Sequence, residues 1–316
     1  MAISYAASGS QGKRVASMYA LAWFLGLCVV ALLAIAVFTY PAWLLLHPYF
    51  SFPFHRIGER IGMLALLVGF VLVARRLRLA DRVSLGYGLP RRLFVREMLI
   101  GLVLGVASML AVVGIMAALG LIGLRAAAAL TAGAIALLAL KSAGSAFAVG
   151  FIEETFLRGG MQTAIARECG TWTAVLCTAA LFSATHFFAS FHIAPQDVTP
   201  HSGVTLLAGT LHVLAAPLAI LDALLALFAV GVVLGLVRSA TGNIAACIGL
   251  HAGWVWVMLV AHGITQPRET SPLRFLLSRF DGFVGWLVFA WTLLLMVPLW
   301  RFYLARSERA RAGAVS

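Results

Sequence analysis

Ser17-Met-Tyr-Ala-Leu-Ala-Trp-Phe-Leu-Gly-Leu-Cys-Val-Val-Ala-Leu-Leu-Ala-Ile-Ala-Val-Phe-Thr-Tyr40 contains no charged side chain. As a helix it would rise about 36 Å at 1.5 Å per residue, more than the roughly 30 Å of a bilayer's hydrocarbon layer. The run is too long for the apolar segment of a signal peptide, and it follows Lys13 and Arg14, so it reads as a retained first span. Working outward, comparable runs are Ile57–Ala74, Met98–Gly123, Lys141–Ile165, Thr171–Phe188, Pro217–Val237, Asn243–His262 and Phe283–Tyr303. The expected fold is an all-α, polytopic membrane helical bundle of about eight transmembrane helices. Ala126–Leu140 can extend the third span, begin the fourth or form a re-entrant or interfacial helix.

Composition agrees. Of 316 residues, 62% are hydrophobic and 11% charged, whereas a soluble domain carries about 25% charged residues. There is too little polar surface for a water-soluble body of this size. The net charge of +12 is a membrane signature and not a nucleic-acid one, because the basic residues sit in short loops between apolar runs. With both termini cytoplasmic, most Lys and Arg fall inside. Outside are only Arg56, Arg60, Arg125, Arg268, Arg274 and Arg279, with Lys141 at a boundary. Cys28, Cys169, Cys177 and Cys247 form no CxxC pair and lie in or beside apolar segments, which predicts buried thiols. The loop Ala189–Gly203 has no Lys or Arg, as an outside loop should. The basic tail Ser307–Ser316 reads as disordered.

Ionisable residues inside spans are costly and functional by default. They are Lys141, Glu153, Glu154, Arg158, His186, His212, Asp222 and His251. In Phe151-Ile-Glu-Glu-Thr-Phe-Leu-Arg158, adjacent glutamates lie about 100° apart on a helix and serve different faces. Glu154 and Arg158, at i,i+4, can pair, which leaves Glu153 to face a cavity as a general base for water. The bland alternative is an ion pair stapling two helices. A lone His186 or His251 would ordinarily be a satisfied core residue. Their depths connect them: Glu153, His186 and His251 lie roughly 18, 22 and 12 Å from the cytoplasmic ends of their helices. A carboxylate and two imidazoles near mid-membrane suit water activation and oxyanion stabilisation. They are also the ligand types of a His/His/Glu site for a divalent metal such as zinc, although the spacing is not HExxH. Lys141 and Asp222 are a candidate ion pair between helices.

Three segments together, Glu153-Glu154-x-x-x-Arg158, Phe182-x-x-x-His186 and Gly249-Leu-His-Ala-Gly-Trp254, resemble in order and spacing the motifs of the CPBP intramembrane proteases. That family includes CAAX prenyl endopeptidases and bacteriocin-processing or self-immunity relatives. The resemblance covers roughly Lys141–His262. It implies peptide-bond hydrolysis within the membrane, on a hydrophobic or prenylated peptide or protein substrate. Glu153 would activate water. Glu154 and Arg158 would hold the helix and tune the base. His186 would position the water or share the proton, His251 would contribute to the oxyanion site, and Phe182 would pack the site; Trp254, in the third motif, reads as a packing residue that supports it. The family's third motif often reads His-x-x-x-Asn; here Val255 takes the fourth place and cannot donate a hydrogen bond.

The expected organisation is N-terminal spans and a cytoplasmic loop over 1–125, a catalytic helical core over 126–265, and a last span with a basic tail over 266–316. The expected location is a bacterial inner membrane. Other readings are a non-catalytic scaffold or self-immunity protein on the same fold, and a proton-coupled transporter using the buried Glu/His set. The absence of visible inverted repeats argues against transport.

Overall fold

A computed structural model describes residues 18–125, 131–187 and 191–312, apart from the side chains of Thr210, Ala310 and Arg311. In chain order the helices are α1 (Tyr19–Leu46), α2 (Phe54–Arg76), α3 (Arg91–Ala118), α4 (Ala132–Glu154), α5 (Gln162–Cys169), α6 (Thr171–Thr185), α7 (Ser202–Ala215), α8 (Leu221–Thr241), α9 (Ala245–Ile264) and α10 (Trp286–Ala312). A π-helical turn, Thr155–Met161, joins α4 to α5 without a break. Two three-residue strands, β1 (Ile122–Leu124) and β2 (Thr265–Pro267), pair antiparallel and tie the ends of α3 and α9 together.

Among the described residues seven helices are long and apolar enough to cross a membrane, one fewer than the sequence suggests. The difference is α6. It ends at Thr185 after 15 residues, a rise of about 22 Å, which falls short of a bilayer crossing. Its C-cap is His186, so the chain leaves the helix where the candidate catalytic histidine stands. Of the rest of the expected span, His186 and Phe187 form a turn and Phe188 lies outside the described residues. From Ala132 onward the ambiguous Ala-rich stretch begins the fourth span, and that continuous helix reaches Cys169; residues 126–130 are outside the description. The sixth expected span starts later than read, because Pro217–Ala219 forms a separate 3-10 turn before α8. The tail is a further correction: α10 continues helically to Ala312. Ala, Arg and Glu, good helix formers, dominate Ala305–Ala312 and carry the helix on.

The centre of the bundle is the crossing of α3 and α9, which run side by side in the same direction. Gly101 and Gly105 face Ala246 and Leu250, while Gly249 and Gly253 face Met98 and Leu102. A Cβ at Gly249 would stand 1.9 Å from the Met98 carbonyl oxygen, so the backbones touch where only glycine fits. Small residues replace the hydrophobic effect as the means of association in lipid, where dispersion and close approach must suffice. Gly242, in the left-handed region at φ 69°, closes α8 and turns the chain directly into α9. Around this centre α4 packs on α9, and both α6 and α10 pack on α8. The pair α1–α2 stands outside, with α1 touching α7.

Candidate active site

The π turn opens on Glu154 and contains Arg158, and both side chains are fully buried. Each π turn realigns the backbone ladder, a distortion that recurs at functional sites. Here the realignment is stitched to α8. Arg158 Nη2 donates to the Gly231 carbonyl at 3.2 Å, Gln162 Nε2 to the Gly235 carbonyl at 2.9 Å, and Arg238 Nε to the carbonyl of Arg158 itself at 3.2 Å. The Arg158 guanidinium also lies 4.8 Å from the Phe182 ring centroid, a cation–π contact that is strongest when desolvated.

Glu154 is the hub. Its Oε1 accepts from Arg158 Nη1 at 3.1 Å and from His251 Nδ1 at 2.8 Å. A carboxylate facing an arginine only accepts hydrogen bonds, so Nδ1 of His251 carries the proton. Nε2 is then the ring nitrogen left to the cavity. His186 follows the same rule. Its Nδ1 lies 2.7 Å from the Phe182 carbonyl oxygen, and a carbonyl cannot donate, so Nδ1 is again the protonated nitrogen. The Phe182 ring meets both imidazoles edge-on, with centroids 4.4 Å from His186 and 5.7 Å from His251.

Both histidines line a cavity of about 320 Å³ enclosed by α3, α6, α8, α9 and α10. Along α9 its wall runs through His251, Trp254, Val255, Met258 and His262, one helical stripe. The far end is formed by His262, Phe280 and Asp281. Between the ends the lining is mostly aliphatic and aromatic. The arrangement is an apolar slot with two basic nitrogens at one end.

The structure brings together Glu154, Arg158, Phe182, His186, His251 and Trp254. It sets Glu153 apart: half-buried, absent from the cavity wall, and without a hydrogen bond or ion pair among the described residues. One residue's rotation on the helix explains this, since Glu154 takes the inward direction. The expected ligand set Glu153, His186 and His251 is therefore not gathered, and among the described residues no group of three or more His, Cys, Asp or Glu side chains is arranged to hold a metal ion. Donation from Nδ1, by His251 to Glu154 and by His186 to a backbone carbonyl, leaves both Nε2 atoms able to ligate; what the described residues lack there is a third ligand.

Other expectations fare differently. Lys141 is exposed on α4 and forms no ion pair with Asp222 among the described residues; Asp222 opens α8, while Lys141 lies mid-α4 on its outer face. Cys247 is buried, but Cys28, Cys169 and Cys177 are only partly so. The sequence reading passed over Ser108, His262, Asp281 and Trp291, which all line the cavity. Ser108 and His262 were visible as polar residues within apolar runs; Asp281 and Trp291 gave no local signal. It also passed over Tyr87, whose hydroxyl bonds to Thr155 beside the motif. Burial pushes the Tyr87 phenol up, so it remains a protonated donor there.

The comparisons with known proteins point the same way. No curated protein and no solved structure matches the chain. Residues 135–257 match the model of the Rce1-like type II CAAX prenyl endopeptidases. That segment contains all three motifs, the π turn and the cavity stripe of α9 as far as Val255. This is an integral membrane protein whose residues 135–257 are similar to the Rce1-like type II CAAX prenyl endopeptidases, the similarity that the three motifs predict.

Proposed function

We propose that the protein is an intramembrane endopeptidase that hydrolyses a peptide bond in a hydrophobic or lipid-modified, CAAX-like peptide or protein, reached from the cytoplasmic side. The observation that carries this reading is the buried Glu154–His251–Arg158 network opening onto an apolar cavity that His186 also lines. An apolar slot accommodates a greasy substrate, and the basic nitrogens at its end handle the protons of a single water. The catalytic core would be residues 126–265. Orientation rests on charge: the loop before α3, the ends of α5 and α8, and the end of α10 share one side, through Arg167 and Arg238 on Ser84 and through Arg306 on Glu97. That side holds most of the basic residues, which favours cytoplasmic termini. A bacterial inner membrane suits this arrangement.

In the reaction, water attacks the scissile carbonyl carbon, its proton passes to a protein base, and the same proton is later given to the leaving nitrogen. Glu153 is the base that the resemblance implies, and among the described residues no hydrogen bond or ion pair ties up its carboxylate. A second reading follows from its position off the cavity wall. There the base is Nε2 of His251, with Glu154 fixing tautomer and orientation as the carboxylate does in a catalytic triad.

The test uses purified protein in lipid nanodiscs and an internally quenched peptide with a farnesylated cysteine three residues before its C-terminus. An unmodified transmembrane peptide runs in parallel. Loss of cleavage in Glu153→Gln, Glu154→Gln and His186→Ala supports the reading with Glu153 as base. Activity retained in Glu153→Gln but lost in His251→Ala supports the second. Cleavage by all four variants at the wild-type rate defeats both.

A further inference from the structure

The two histidines of the site are both committed as donors at Nδ1, His251 to Glu154 and His186 to the Phe182 carbonyl. What each ring leaves to the cavity is Nε2, which in the neutral form carries a lone pair that can act as a base. A lone pair takes a proton from water; it does not stabilise negative charge. The tetrahedral intermediate of peptide hydrolysis nevertheless places a full charge on the former carbonyl oxygen, and preorganised donors at that point are usually the largest single contribution to catalysis. One turn beyond His251 on the cavity stripe stands Val255, which has no donor.

On α3, which packs directly against α9, is Ser108. It lines the cavity, and two indoles from different helices are aimed at it. Trp254 Nε1 donates to its hydroxyl oxygen at 2.9 Å, and Trp291 Nε1 donates to its backbone carbonyl at 3.1 Å. Its own hydroxyl proton goes to the Gly105 carbonyl at 3.0 Å, an acceptor already served by the helix ladder of α3. That last bond is therefore cheap to give up. A hydroxyl that accepts from an indole N–H is polarised and becomes a better donor, because hydrogen bonds in a chain reinforce one another. Trp254 lies three residues after His251, on the same side of α9, so its indole ties Ser108 to the cavity wall that also carries the proton-handling ring.

We propose that Ser108 is the oxyanion donor of this site, held and polarised by Trp254. The assignment rests on the peptidase reading above. As the water oxygen bonds to the carbonyl carbon, the C=O π pair moves onto oxygen and the water proton passes to the base. Ser108 Oγ–H turns from the Gly105 carbonyl to that oxyanion and keeps its proton. When the C–N bond breaks, the oxyanion pair re-forms the C=O of the product acid, the base returns its proton to the leaving amine, and Ser108 turns back. The balance is peptide plus water to carboxylic acid plus amine. Ser108 would be a catalytic residue and Trp254 a positioning residue.

The experiment is steady-state cleavage of the farnesylated quenched peptide by wild type, Ser108→Ala, Ser108→Thr, Trp254→Phe, Val255→Asn and the double variant Ser108→Ala/Val255→Asn. Thermal unfolding of each is recorded in the same nanodiscs. Loss of one oxyanion donor should lower kcat about 100-fold in Ser108→Ala with KM changed less than about threefold. Ser108→Thr keeps the hydroxyl and should stay within about tenfold of wild type. Trp254→Phe should fall between them. A carboxamide at 255 should restore at least about tenfold of the loss in the double variant. A Ser108→Ala protein with wild-type kcat, or one whose activity falls only in step with its unfolding temperature while Val255→Asn rescues nothing, would overturn the assignment and leave the peptidase reading intact. In that outcome Ser108 is only the brace between α3, α9 and α10. A wild-type protein that cleaves neither the farnesylated nor the unmodified peptide removes the peptidase reading itself, and the assignment with it.

Discussion

Helices α1 and α9 are both long enough to cross a membrane, and they use their surfaces in opposite ways. α1 is the more apolar of the two, yet it buries little, and Leu33, Val37, Phe38 and Leu45 stand exposed. α9 is less apolar, and its run from Ala245 to Gly253 is wholly buried. In water that ranking would be inverted. In lipid an exposed leucine costs nothing, so apolarity marks the outside. The inside is marked by small residues that let backbones touch and by polar groups that must find each other. The proposed site follows that division: α9, α4 and the π turn carry its Glu154–Arg158–His251 network, while α1 keeps an exposed apolar surface.

The contrast breaks most sharply at the buried network. Arg158→Met leaves the Glu154 carboxylate enclosed with only His251 as a partner, and losing one member of a buried pair costs about 3–5 kcal/mol. Unfolding in detergent should show a loss of that order, together with loss of peptidase activity. Next comes the α3–α9 crossing. Gly249→Ala places a methyl against the Met98 carbonyl, and overpacking of this kind costs about 1–3 kcal/mol, read as a lowered unfolding temperature. Gln162→Leu removes the bond to the Gly235 carbonyl and should cost about 1 kcal/mol by the same measurement. The outer helix supplies the small effects. Gly26→Ala on α1 meets no atom within 4 Å and should be neutral or stabilising by under about 1 kcal/mol through helix propensity. Leu45→Ala, at a residue 74% exposed, should change stability by less than about 0.5 kcal/mol. A larger loss at Leu45 than at Gly249 would reverse the comparison.

The same division explains what was legible in the sequence. Spans are long apolar runs, and composition exposes them directly. The three motifs stood out because charge is rare inside such runs: Glu154, Arg158, His186 and His251 are all intruders. The length of α6 was not legible, because the apolar pattern continues past Thr185 while the helix does not. The separate fates of Glu153 and Glu154 followed from the 100° step between them, but which of the two turns inward depends on the partner helix. His251 takes Glu154 from ninety-seven positions away in the chain. Ser108 stayed hidden for a related reason. A single serine in an apolar helix is ordinary, and only the convergence of Trp254 and Trp291 from α9 and α10 singles it out. Gly101 and Gly105 gave no local signal either, since only the approach of α9 shows why glycine is needed there.

The central claim is that Glu154 and His251 act as one unit in peptide hydrolysis. It is tested by a double-variant cycle, with cleavage of the farnesylated quenched peptide measured for wild type, Glu154→Gln, His251→Ala and the double variant in nanodiscs. Groups that act as a unit are far from additive. The account predicts that each single variant loses at least about a thousandfold in kcat, in line with the removal of a triad member, and that the double variant is no worse than His251→Ala. Losses that multiply in the double variant, or a Glu154→Gln protein that turns over at the wild-type rate, would contradict it.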